Sequence, residues 1–226
     1  MADILQNNME KIIIIGAGGH ASEIVEYIEN INLSKYASTV KYDIVGIIDD
    51  NFQNFSKYQY TYKYLGTVTN HEYQKDISYV IGIANLKYRK NIVEKFLNNG
   101  CKFINIIHPT AMISKTANIG VGNVISHNVS IGPMSNIGDF NVINSRVTIG
   151  HDSSIKDFNF LSPVVALGGN TVLESHNLIG TSACTIPGIS IGSSNTVMAG
   201  MVLNKSIENN QVVFYKFKEK IILQNK

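Results

Sequence analysis

Between residues 113 and 203 an aliphatic side chain returns at every sixth residue. The positions are Ile113, Ile119, Ile125, Ile131, Ile137, Ile143, Ile149, Ile155, Leu161, Leu167, Leu173, Ile179, Ile191, Val197 and Leu203, with Thr185 the lapse on the grid. An α-helix would scatter this set around its axis, and a plain strand of period two has no reason to want a strong aliphatic only at every third inward place. The period marks a solenoid whose short strands stack coil on coil. Two positions before each aliphatic stands a small or modest residue, such as Ala111, Asn123, Val129, Ser135 or Asn141. Directly after it glycine recurs, at Gly120, Gly132, Gly138, Gly150, Gly168, Gly180 and Gly192. The aliphatic reads as the inward side chain and the glycine as the start of a bend, where no Cβ obstructs the turn.

The first hundred residues carry a different pattern. A β-branched strand at 11–15 runs into Gly16-Ala17-Gly18-Gly19-His20-Ala21, after which Ala21, Ile24, Val25, Ile28 and Ile31 keep helical spacing. Residues 42–48 read as a second strand ending in Asp49-Asp50, followed by a tyrosine-rich loop over 51–64 and a weak helix at 70–75. Residues 79–84 read as a third strand. Tyr88, Ile92, Val93, Phe96 and Leu97 form one face of a helix that Asn98-Asn99-Gly100 ends, and residues 102–107 read as a fourth strand. Alternating strands and helices predict a small parallel α/β sheet.

A formal charge of +2, with no Lys/Arg run, is too small to suggest a nucleic-acid or membrane partner, and neither is expected. No apolar run has membrane-spanning length. The start, MADILQNNMEK, lacks the pattern of a secretory signal, and Met9 is a candidate alternative start. Cys101 and Cys184 fall in different predicted domains, which fits a reducing, cytoplasmic setting rather than a disulfide framework.

Gly16-x-Gly18-x-x-Ala21, between strand and helix, is the dinucleotide-binding pattern. Its physics argues for a phosphate or pyrophosphate, because glycines let backbone N–H groups approach an anion and the helix N-terminus favours negative charge. The same turn also occurs merely for tight packing. About a hundred residues before the solenoid are too few for a full six-stranded dinucleotide fold, which disfavours NAD.

In the solenoid, His151 follows Gly150 at a bend and precedes Asp152. Histidine titrates in the range that suits a general base, and a neighbouring carboxylate can hold the imidazole. Taken alone, a bend histidine is more often a solvated surface residue. His127 and His176 invite a zinc reading, but zinc needs three or four converging ligands. His127 and His151 are four hexads apart, which is one coil and one face, so no metal site is expected.

The run Ile15-Gly16-Ala17-Gly18-Gly19-His20-Ala21, then Asp49-Asp50, then hexapeptide repeats, resembles the sugar O- and N-acetyltransferase family. This family includes sialic acid O-acetyltransferases and bacterial nucleotide-4-amino-sugar N-acetyltransferases, and the resemblance spans nearly the whole chain after residue 10. It implies an α/β fold: a small Rossmann-like parallel sheet followed by a left-handed parallel β-helix, with about five coils of three hexads. The implied domains are an N-terminal extension (1–10), a nucleotide-sugar-binding domain (11–107), the β-helix acetyltransferase domain (108–205) and a C-terminal tail (206–226).

The resemblance implies a pyrophosphate at Gly18, Gly19 and His20, with the nucleoside near Asp49 and Asp50. The segment from Asn144 to Asp152 is similar to the family's catalytic segment, which implies His151 as general base, Asp152 as its support and Asn144 as a sugar contact. Acetyl-CoA would lie near Gly169, Gly180, Thr181 and Ala199, between subunits of a homotrimer. Two departures stand out. Relatives carry a second histidine where this chain has Phe160, and a Gly-x-Pro-Ala-Lys ending where it has Val213-Phe214-Tyr215-Lys216-Phe217-Lys218, leaving Lys216 or Lys218 for the CoA phosphate. The implied function is N-acetylation of the 4-amino group of a nucleotide-linked deoxysugar for surface-glycan biosynthesis. The alternatives are sialic acid O-acetylation and non-catalytic nucleotide-sugar binding.

Overall fold

The computed structural model describes residues 9–34 and 40–215. The first eight residues, Lys216 and Lys218 lie outside them. Strand β1 (Met9–Ile15) is the second strand of a four-stranded parallel sheet in the order β2-β1-β3-β4. Its partners are β2 (Lys41–Ile48), β3 (Ser78–Ile81) and β4 (Lys102–Phe103). Ile12, Ile13, Ile14 and Ile15 are all fully buried, as a central strand covered on both faces requires. Helix α1 (Gly19–Leu33) buries Ala21, Ile24, Val25, Tyr27, Ile28 and Ile31 on one face. The tyrosine-rich segment holds a short helix, α2 (Phe52–Lys57), whose first turn is capped by the Asn51 side chain accepting from the Gln53 N–H. Residues 70–75, read as a weak helix, are irregular. Helix α3 (Leu86–Asn98) starts at an Asn85 cap and ends where Gly100 takes φ +78°.

Residues 102–107 do not form one strand. Lys102 and Phe103 complete the α/β sheet, whereas Ile106 and Ile107 already pair with Val124 and Ile125 in the solenoid. Asn105 makes the break. Its amide donates to the Gly120 carbonyl (2.6 Å) and accepts from the Asn123 N–H (2.8 Å), so it is captured by the coil above rather than by the sheet behind.

The solenoid is a three-sided prism. Two-residue strands stack in parallel into faces of seven, six and five strands among the described residues, each strand up to the last coil pairing with the one eighteen residues on. The grid aliphatics from Ile125 to Leu203 point inward and are buried. The residues two places earlier fill the three inner corners as columns. One holds Val129, Val147, Val165, Ala183 and Met201; another holds Ser135, Ser153 and Thr171. The third is a buried asparagine ladder in which Asn141, Asn159, Asn177 and Asn195 each donate a backbone N–H to the amide oxygen of the asparagine one coil below, at 2.8–2.9 Å. Buried amides are tolerated because every rung supplies the acceptor for the next. Thr185, the lapse, is purposeful: its hydroxyl accepts from the Gly168 N–H (2.9 Å) in place of a ladder carbonyl and meets the Thr171 hydroxyl at 3.1 Å.

The glycines after each aliphatic serve a purpose other than bending. The left-handed conformation falls two residues later, every sixth position, mostly on residues such as Asn128, Met134, Phe140, Arg146 and Asp152. Gly132 and Gly180 are glycine because the next coil passes too close. An added Cβ would lie 2.7 Å from the His151 nitrogen at Gly132 and 2.6 Å from the Ala199 nitrogen at Gly180. The last coil is short, since Val212–Val213 pairs with Thr196–Val197 sixteen residues back.

The α/β domain docks against the seven-stranded face and its two flanking edges. Tyr27 of α1 bonds Ser126 at 2.7 Å, and its ring meets His108 edge-on. Arg89 of α3, fully buried, donates to the carbonyls of Ile81 (3.0 Å), Ile83 (2.9 Å) and Phe140 (3.2 Å), bridging strand β3 and the solenoid. No described helix is long and apolar enough to cross a membrane.

Candidate active site

The glycine turn is held from behind. Gly16 takes φ +101°, and a Cβ there would strike Ile83 at 2.7 Å. Asp49, at the end of β2, accepts the Ala17 N–H at 2.6 Å and the Asn51 N–H at 2.7 Å. The Tyr60 hydroxyl donates to the carbonyls of Ala17 and Gly18. Gly18 and Gly19 open α1, whose first N–H groups have no intrahelical acceptor. In front lies a cavity of about 270 Å³ bounded by Gly16, Gly18, Gly19, His20, Asp49, Asn54 and residues 82–85. Asp50 is turned away, its carboxylate accepting the Thr69 N–H at 2.9 Å. The acidic pair therefore braces the loops beside the turn, a use that its position after a strand did not disclose.

His20 is almost wholly buried. Its Nδ1 lies 3.4 Å from the Glu23 carboxylate, and its Nε2 has no partner among the described residues. Burial pushes its pKa below the ordinary histidine range and the Arg89 charge adds to that, against the opposing pull of Glu23. Ala84 and Asn85 also border a second cavity, of about 530 Å³, which continues onto the seven-stranded face at Phe160, His176, Leu178, Ser194 and Thr196.

His151 lies elsewhere. It stands on the edge between the six- and five-stranded faces, with its side chain 61% exposed, and its Nδ1 meets the Asp152 carboxylate at 2.7 Å. Asp152 is the left-handed residue of the bend (φ +56°), which swings its carboxylate back beside the imidazole. Nδ1 is thereby occupied, and Nε2 lies over Gly169 of the next coil, where a Cβ would come within 2.8 Å of it. Glycine at 169 keeps space for the ring. A neutral imidazole held at Nδ1 by a carboxylate presents a lone pair at Nε2, the geometry of a general base.

Asn144, Gly180, Thr181 and Ala199 share a different edge, between the seven- and six-stranded faces. There Gly180 packs under Ala199 and the Thr181 carbonyl accepts the Gly200 N–H at 2.8 Å. Gly169 therefore goes with His151 and not with the other three expected acetyl-CoA contacts. His127 lies on the Asn144 edge, 5.8 Å from His108 between ring centres, and His176 on the third edge, so the histidines at 127, 151 and 176 do not converge. Residues that the sequence did not single out are Arg89 and the wall at 82–85. Arg89 sits on the apolar face of an amphipathic helix, an oddity visible in the spacing.

Residues 11–96 match the family model of the PglD N-terminal domain. The UDP-N-acetylbacillosamine N-acetyltransferase of Bacillus subtilis (strain 168) is 32% identical over 119 residues, 52% of this chain and 51% of that protein. The match thus spans about half the length of this curated relative. The acetyltransferase domain of PglB from Neisseria gonorrhoeae FA1090, in complex with acetyl coenzyme A, superposes with a TM-score of 0.77 at 25% identity, covering 90% of this chain and 95% of that one. PerB from Caulobacter crescentus, in complex with CoA and GDP-perosamine, shares the fold at 24% identity, with a TM-score of 0.72 over 89% and 92% of the two chains. An α/β domain feeding a left-handed parallel β-helix is the architecture of the hexapeptide-repeat acyltransferases. Within that class, the chain is similar to the sugar O- and N-acetyltransferases, through its N-terminal domain match and the relatives named above.

Proposed function

We propose that this protein transfers an acetyl group from acetyl-CoA to the 4-amino group of a nucleotide-linked amino-deoxysugar, with His151 as general base, in the cytoplasm and in the service of surface-glycan biosynthesis. The observation that carries the reading is the 2.7 Å His151–Asp152 pair, which leaves Nε2 open, on a chain that also carries a glycine-turn cavity. The curated relative's name and the acetyl coenzyme A held by the gonococcal domain support the substrates. The amine nitrogen bonds to the thioester carbonyl carbon, its proton passes to His151 Nε2, and the C–S bond breaks. The imidazolium then returns the proton to the departing thiolate. Asp152 stabilises that imidazolium, and backbone N–H groups of the bends hold the oxyanion. No metal takes part.

Gly18, Gly19 and His20 take the pyrophosphate, Asp49 flanks the nucleoside while Asp50 braces the loop behind it, and Asn144 touches the sugar. Gly169, Gly180, Thr181 and Ala199 line the path of acetyl-CoA. The larger cavity, which shares Ala84 and Asn85 with the glycine-turn cavity, opens onto the seven-stranded face, and the His151 edge is the one opposite that face. A sugar held by one copy therefore meets the His151 of another, which supports a homotrimer with sites between subunits. Phe160, on the wall of the larger cavity, takes the place where relatives hold a histidine near the thioester.

The test is thiol release from acetyl-CoA with UDP-, GDP- and dTDP-4-amino-sugars and free sialic acid, each repeated with His151→Ala. Release with one nucleotide amino-sugar, abolished by the substitution, supports the reading. Release with sialic acid alone moves the chain to O-acetylation, and binding of a nucleotide sugar without release leaves a binding protein. Light scattering of the purified chain decides the trimer.

A further inference from the structure

We infer that Arg89 is the buried counter-charge for the ligand's diphosphate. This assignment rests on the nucleotide-sugar reading above and adds to it a residue that no binding motif contains. The cavity at the glycine turn has an odd lining for an anion site. It contains neither lysine nor arginine, its one acidic side chain is Asp49, and burial disfavours the charged form of His20. The helix N-terminus supplies about half a positive charge, less than a diphosphate carries.

The missing charge stands directly behind the wall. Ile83 lines the cavity, and its carbonyl accepts from Arg89 Nη1 at 2.9 Å. Arg89 is fully buried, and among the described residues no carboxylate pairs with it. Its fixed bonds run to the carbonyls of Ile81, Ile83 and Phe140. A buried cation with only neutral acceptors is expensive to keep unless something anionic completes it. Burial draws its pKa down to about 9, which leaves it charged at neutral pH, and its field already reaches His20 at the head of the turn.

The two buried polar atoms without partners among the described residues, His20 Nε2 and Arg89 Nη2, belong to this same pair of residues. Because the Arg89 charge is buried, salt screens it far less than a surface lysine.

The test measures how much the diphosphate adds to nucleoside binding. Calorimetry and ligand-observed NMR compare UDP, GDP or dTDP, whichever binds, with the matching nucleoside. In the unaltered protein that gain should hold within about threefold between about 0.05 and 0.5 M salt. In Arg89→Met it should fall about tenfold or more, with nucleoside and acetyl-CoA affinities unchanged. Arg89→Lys, which keeps the charge but loses the fork, should retain most of it. A merely structural arginine predicts the same gain in Arg89→Met, and that result overturns the assignment. So does a gain that collapses in salt with the unaltered protein, a measurement that stands even if Arg89→Met fails to fold. An unaltered protein that binds acetyl-CoA but no nucleoside diphosphate overturns the nucleotide-sugar reading itself, and Arg89's role with it.

Discussion

All three edges of the prism carry histidines on the same backbone, and two of them stand in sharpest contrast, only one having the makings of a catalyst. On one edge His151 stands in solvent with its Nδ1 held by Asp152. On the other, His176 takes the left-handed place (φ +64°) and stacks on Phe158 at 5.2 Å and 14°, which stacks on Phe140 at 5.1 Å and 18°. The rim of Phe103 closes that column from the α/β domain at 5.2 Å, and burial with the nearby Lys90 charge pushes the His176 pKa below its usual range. The coil geometry is shared. What differs is the cover: α3 and β4 lie over one edge, and nothing among the described residues lies over the other. In this fold the repeat distributes positions, and docking decides which of them stay available for chemistry.

The contrast can be broken in several places. The largest effect is expected from His151→Gln, which should lower thiol release by about 10²- to 10⁴-fold while the unfolding midpoint, read by circular dichroism, hardly moves. Asp152→Asn keeps the side-chain length and tolerates positive φ, so it should lower the rate by about 10- to 100-fold. An unchanged rate would mean that the carboxylate does not hold the imidazole. On the covered edge the expectation reverses. Phe158→Asn should cost about 1–2 kcal/mol of stability in a urea titration, with the rate per folded molecule unchanged.

The smallest effect concerns acid. His176 has a folded-state pKa below the ordinary 6.5, so the unfolded chain binds the proton more readily. The folded state is at full advantage above about pH 6.5 and loses ground as the pH falls through the lowered folded value. His20, His71 and His108 are shifted the same way by burial. His176→Phe extends a stack that already accommodates phenylalanine at this φ. It should therefore flatten the decline in melting temperature between about pH 7 and 5 by the share of one histidine, leaving the rest.

Much of this was readable from residue order. A period of six with coils of eighteen is local arithmetic: it places Ile149 inward, His151 at a bend, and His127 on another edge from His151. The strand, glycine turn and helix at the N-terminus were equally plain, since Ile12 to Ile15 and the spacing of Ala21, Ile24 and Ile28 follow from burial on two faces and on one. The short helix at Phe52–Lys57 and the irregular stretch at 70–75 were misread because neither has an apolar period strong enough to outweigh its neighbours. Residues 102–107 looked like one strand because their apolar pattern is continuous, and only capture of Asn105 by Asn123 and Gly120 divides them.

The sequence by itself determined the solenoid, its inward ladder and the place of the His–Asp pair, because a repeat is enforced by contacts that recur at fixed spacing. Tertiary structure alone decided that Asp49 braces the glycine turn, that Arg89 sits uncompensated behind it, and that the Phe158 edge is closed while the His151 edge is open. Those outcomes depend on how two differently built domains meet, and the contacts that join Tyr27 to Ser126 and Arg89 to Phe140 span 99 and 51 residues with no period to announce them.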